Sequence, residues 1–136
     1  MIIRAPFRGG DKHGFGHFGA SRGTRTHKGV DVACYAGSQI PSLTPGTVTK
    51  IGFPYSGDDP KKGHLRYVEV TLDGNRFRYF YIEPSVEVGD VVIPGDQIGT
   101  SQGLLKIYPG ITDHIHVEQI NPDGGYVDCT DLVENG

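Results

Sequence analysis

Cysteine is scarce in this chain: Cys34 and Cys129 are the only two among 136 residues, too few for a disulfide framework. Neither has a neighbour at the short spacing of a cysteine-rich zinc site, so neither is assigned to a metal. Both are expected as free thiols, with Cys34 in a strand pattern, buried and inert; a Cys34–Cys129 pairing is the alternative. A basic surplus is lacking too. The formal charge of −3 and pI near 6.0 give no electrostatic footprint for nucleic acid. No stretch approaches the roughly eighteen apolar residues of a membrane span, and Met1-Ile2-Ile3-Arg4-Ala5-Pro6 lacks the apolar run of a signal peptide. The chain is therefore expected to be soluble, without membrane insertion. Sustained helical periodicity is also missing, and no segment reads as a helix longer than a turn or two.

What the chain does contain is the punctuation of short strands: 21 glycines and 9 prolines around β-branched and aromatic runs, with 36% hydrophobic residues to build one core. The pattern predicts a mainly β, single-domain antiparallel, partly barrel-like sheet with long loops. Within 1–136, residues 1–25 read as a glycine-rich loop region, 26–120 as the core and 121–136 as a C-terminal extension. Gly46-Thr47-Val48-Thr49-Lys50-Ile51-Gly52, Arg66 to Leu72 and Arg76 to Ile82 read as strands, the last two joined by the hairpin signal Asp73-Gly74-Asn75. Val88 to Asp96 reads as a turn, a short strand and a turn, followed by a strand at Gln97-Ile98-Gly99-Thr100. Lys61 and Lys62 read as a solvated loop, and His64 as surface.

The chemistry concentrates in His27-Lys28-Gly29-Val30-Asp31 and His114-Ile115-His116. Residues two apart on a strand share a face, with Cα atoms roughly 6.6 Å apart, so His114 and His116 can converge on one centre. Imidazole and carboxylate suit a first-row metal, and two or three protein ligands with an open position form a catalytic pattern, not a closed structural one. Spacing alone does not say which member of the His-x-His pair binds the metal.

Taken in order, Arg25-Thr26-His27-Lys28-Gly29-Val30-Asp31, Gly46-Thr47-Val48, Val88-Gly89-Asp90 with Gly95, and His114-Ile115-His116-Val117-Glu118 resemble the lysostaphin/LytM-type zinc endopeptidases. The resemblance runs from about Phe15 to Gln119. It implies hydrolysis of peptide cross-links in bacterial peptidoglycan, with one zinc per chain held by His27, Asp31 and His116. A zinc-activated water would attack the scissile carbonyl, and the unligated His114 would orient or deprotonate it. Most active members of the family carry a second histidine in a Tyr-x-His-Leu segment, where this chain has Tyr79-Phe80-Tyr81-Ile82. Tyr81 stands at that position, and a phenol can donate a hydrogen bond to a developing oxyanion but is a poor base at neutral pH. The same Phe80-Tyr81-Ile82 variant, with Asp11-Lys12-His13-Gly14 and Tyr108-Pro109-Gly110-Ile111, resembles the leukocyte chemotaxin branch, which keeps the zinc site as a signalling module. The expected function is thus that of a bacterial or phage-encoded cell-wall lytic factor, released or virion-associated. A catalytically inactive, zinc-stabilised binding or signalling module is the alternative.

Alternation places Tyr81 on one face with Tyr79, and Phe80 with Ile82 on an apolar face that anchors the strand. Tyr79 would line the groove or pack. Glu118, two after His116, either receives that histidine's second N–H or is ordinary strand-face polarity. Arg22 and Arg25 would bind a substrate carboxylate or loop carbonyls. His13 and His17 would supply an extra ligand in a latent form, or belong to a solvated or substrate-contacting loop. Asp113 is left unassigned.

Overall fold

The computed structural model describes residues 19, 21–22 and 25–135. Alternating β-branched and aromatic residues form twelve short strands: β1 (Ser21–Arg22), β2 (Arg25–Thr26), β3 (Val30–Ala33), β4 (Gln39–Pro41), β5 (Gly46–Gly52), β6 (Tyr67–Leu72), β7 (Asn75–Phe80), β8 (Ile82–Pro84), β9 (Val91–Val92), β10 (Gln97–Ser101), β11 (His114–Ile120) and β12 (Tyr126–Val127). One short helix, α1 (Thr130–Asn135), follows. The main sheet runs β12-β11-β7-β6-β5-β9, with β3 also paired to β11; β4-β10-β8 form a second sheet and β1-β2 a two-stranded ladder. Every pairing is antiparallel, as expected. The sheets do not close into a barrel: the main one runs from β12 at one edge to β9, a two-residue strand, at the other.

The Asp73-Gly74 turn takes φ of 50° and 83°, the left-handed pair a two-residue hairpin needs, and it sets Leu72 opposite Asn75. Register then follows the pleat. Val30, Val32, Val68, Val70, Phe77, Tyr79, Ile115 and Val117 fill one face of the sheet and pack with Ile40, Ile82 and Ile98 from the second sheet. Cys129 and Val133 of the last segment join the same core. The opposite face carries the polar residues of β3, β11, β7 and β6, and that face holds the site. A smaller apolar cluster of Leu65, Leu104 and Ile111 stands beside it.

Strand alternation fails at one informative place. The run expected from Arg76 to Ile82 breaks at Tyr81, whose φ is 74°. Tyr79 is fully buried in the main core, where its hydroxyl accepts the Leu43 N–H at 3.0 Å. Phe80 lies on the site face opposite His116, so the expected assignment of Phe80 to the anchoring face is corrected. Tyr81 does not share a face with Tyr79. A single left-handed residue at the strand end swings its ring away from the main core and into the Leu65–Leu104–Ile111 cluster. The bend is held by Tyr81 N–H and Ile82 N–H, which both donate to the Arg66 carbonyl, and by Gln102 N–H donating to the Tyr81 carbonyl.

His13, His17 and most of the glycine-rich segment lie outside the described residues, as do the side chains of Arg22 and Arg25. His64 is exposed, and the backbone amides of Lys61 and Lys62 donate to Asp59 in a surface turn. Both cysteines are free, Cys34 half-buried just past β3 and Cys129 buried. No described helix is long and apolar enough to cross a membrane.

Candidate metal centre

Sequence distance is erased by one pairing. β3 lies against β11 with Asp31 opposite His116 and Ala33 opposite His114, so the early and late motifs become neighbours on one face. His27, just before β3, reaches the same point. His27 Nε2, His116 Nδ1 and Asp31 Oδ1 form a triangle with sides of 2.9, 3.0 and 3.1 Å. Tetrahedral zinc with bonds of about 2.0 Å has donor-to-donor edges of roughly 3.3 Å, so this triangle is one face of such a site with little adjustment. These three are the one group of three or more potential ligand residues among the described residues.

Proton bookkeeping points the same way. Glu118 accepts a hydrogen bond from His116 Nε2 at 2.9 Å, so that nitrogen carries the proton and Nδ1 turns its lone pair toward Asp31. Two imidazole nitrogens and a carboxylate oxygen within about 3 Å of one another need a cation between them or a ring proton of His27 or His116 directed into the triangle. Without a metal, a ring proton does this. Burial works against charge on His116, but hydrogen bonds to Asp31 and Glu118 win and push its pKa up to about 9. Burial likewise opposes charge on Asp31, yet hydrogen bonds with His116 and His27 hold its carboxyl well below the usual range. The donor set therefore fits a divalent ion, which would replace that proton.

His114 is built differently. Its Nδ1–H donates to the Thr112 carbonyl at 2.7 Å, because a carbonyl can only accept. Nε2 is then the basic nitrogen, and it lies 3.4 Å from Asp31 Oδ2, on the other oxygen from the one in the triangle. His114 is thus beside the donor triangle but not part of it. The Tyr81 ring meets His114 edge-on, with centroids 5.9 Å apart, and Phe80 meets His116 in the same way at 5.2 Å. Burial first, then Tyr55 and the Asp31 charge, push the Tyr81 phenol above its ordinary value, so it is a donor and not a base.

Two supports were not legible as site residues. Gly29 leaves room for His116: a Cβ there would lie 2.3 Å from the Val117 carbonyl oxygen and 2.9 Å from the imidazole. Its place between His27 and Asp31 was the available signal. Asp113, left unassigned, accepts the backbone N–H groups of Leu104 and Leu105 at 2.7 and 3.1 Å and so fixes the turn that carries Tyr108. A mostly apolar groove lined by Ala33, Cys34, Tyr35, Thr112 and Asp113 runs beside His114.

A buried triangle of two histidines and a carboxylate on a sheet face has the donor set of a metal centre. Residues 25–129 match the model of peptidase family M23, and the chain belongs to that zinc-dependent family. Leukocyte cell-derived chemotaxin-2 of Bos taurus is 34% identical over 108 residues, covering 79% of this chain and 69% of the relative. The Mus musculus protein of that name is 36% identical over 110 residues, with the same coverage. Among solved structures, a variant of the catalytic domain of the prophage-encoded M23 protein EnpA from Enterococcus faecalis superposes with a TM-score of 0.62 at 23% identity, covering 93% of this chain and 91% of that one. The catalytic domain of the antimicrobial peptidase lysostaphin from Staphylococcus simulans gives 0.62 at 18%, covering 92% of each chain. Those two likenesses are of fold.

Proposed function

We propose that the chain is a zinc-dependent endopeptidase acting on the peptide cross-links of bacterial peptidoglycan. His27, Asp31 and His116 hold the metal, which when bound supplies Lewis acidity and eases the deprotonation of a water. The observation that carries the reading is His114: tied at Nδ1 to the Thr112 carbonyl, it turns Nε2 toward the edge of the donor triangle, 3.4 Å from Asp31 Oδ2. Such a nitrogen takes a proton from the attacking water and returns it to the leaving amine. Tyr81, whose ring stands edge-on to His114 and whose phenol is held protonated, would donate to the oxyanion that forms at the scissile carbonyl.

A second reading, a zinc-stabilised binding or signalling module without catalysis, is favoured by the identity to the two chemotaxins and by a phenol at position 81. Clearing of a peptidoglycan suspension, followed with and without chelator, separates the two. The enzyme reading expects clearing that chelation stops. It also expects His114→Ala to keep full zinc and lose turnover, while His116→Ala loses the metal. Tyr81→Phe should keep zinc and fold but slow turnover by on the order of a hundredfold, the scale of one lost oxyanion donor. A wild type that clears nothing, even after Tyr81→His, sinks the enzyme in favour of the module.

A further inference from the structure

Beyond the three ligands, the site face carries a row of charge that the proposed reaction does not use. Glu118 on β11, Arg78 on β7 and Glu69 on β6 are direct cross-strand partners, one behind another. Both carboxylates are buried, at 5% and 6% exposure, and the guanidinium is the group between them. Arg78 Nε donates to Glu69 Oε2 at 2.8 Å, and its Nη1 reaches Glu118 Oε2 at 3.6 Å. The other oxygen of Glu118 is the one bonded to His116. Glu69 is itself pinned: a bulge in the β5–β6 pairing falls at Thr49, whose hydroxyl donates to Glu69 Oε1 at 2.8 Å. The row therefore runs from Thr49 to the ring of His116, hydrogen-bonded throughout except for the ion pair between Arg78 and Glu118.

We infer that Arg78 is a positioning residue for the metal, anchored by Glu69 and acting through Glu118 to set how tightly His116 binds zinc. This rests on the reading of His116 as a ligand. Glu118 orients the imidazole only while its carboxylate stays in place, and a carboxylate this buried needs a cationic partner. Arg78 supplies that partner on the oxygen that His116 does not use. Glu69 holds the guanidinium at Nε, which favours the fork's turn toward Glu118. Without Arg78, Glu118 loses its cationic partner, while Glu69 keeps Arg76 at 4.0 Å. Relief then comes by rotation of Glu118, which loosens His116.

The test is a zinc-competition titration on the full chain, arranged as a cycle of Arg78→Met, Glu118→Gln and the double variant. Arg78→Met should weaken zinc binding about tenfold to a hundredfold, the range for losing a partner of a ligand. The same substitution made in Glu118→Gln should add little further loss, because its route is already cut. Arg78→Lys, which keeps the charge without the fork, should recover part of the affinity and serves in the cycle if Arg78→Met does not fold. Circular dichroism of the zinc-free variants separates misfolding from weakened binding. Unchanged affinity, or losses that simply add, overturns the role of Arg78 while leaving His116 as ligand. Zinc retained at full affinity in His116→Ala overturns the ligand assignment, and the inference with it.

Discussion

At the scale of single residues, the site depends as much on missing atoms as on present ones. Gly29 has ordinary backbone torsions, so its necessity is one of space: a methyl group there meets backbone at Val117 and the imidazole of His116 together. Gly29→Ala should therefore both destabilise the protein by about 1–3 kcal/mol, the usual range for overpacking, and weaken zinc binding. A melting curve and a metal titration read the two effects, and normal values for both would show that β3 can shift freely. Cysteine gives a second expectation. Two thiols should titrate under denaturing, non-reducing conditions, and reductant should leave the melting temperature unmoved. In the folded protein Cys34 should react well before Cys129, which is 2% exposed and whose thiol is pushed up to about 12, chiefly by burial.

At the scale of elements, hydropathy made most strands legible, because period-two patterning and the Asp73-Gly74 turn specify both the strand and its register. Residues Gly46–Gly52 were read to the residue. Three things escaped. β4 is three residues ending in Pro41, too short and too broken to show a period. Arg78 and Glu69 were read only as members of strands, since sequence does not reveal that opposite charges will be aligned and buried. Tyr81 was read as one more step of an alternating strand, because a left-handed non-glycine residue leaves no trace in a polarity pattern. The histidines and Asp31 were recoverable by spacing as a group, but their division of labour came from resemblance. The turn held by Asp113 offers a test at this scale. Asp113→Ala removes acceptance of two backbone N–H groups and should cost about 1–3 kcal/mol, read as a lower urea midpoint. Asp113→Asn, which keeps an acceptor, should cost less, and equal losses from both would place the effect elsewhere.

At the scale of the molecule, the donor triangle links positions far apart in the chain: Asp31 and His116 are 85 apart, and His27 and His116 are 89 apart. Closing a loop of that length costs about 4 kcal/mol in chain entropy before its contacts are made. The hairpin of β6 and β7 needs no such closure, so it can form early, whereas β3 must wait for β11. Interactions that form after the rate-limiting barrier slow unfolding and leave folding speed alone. Zinc should therefore act as a latch and not as a nucleus. Stopped-flow measurements across denaturant should show the unfolding limb falling as zinc is added and the refolding limb unchanged; acceleration of refolding would mean that the two motifs meet before the hairpin is complete. A protein latched in this way has a lifetime set by the free metal around it, so two compartments that differ only in zinc would hold the same chain for very different times.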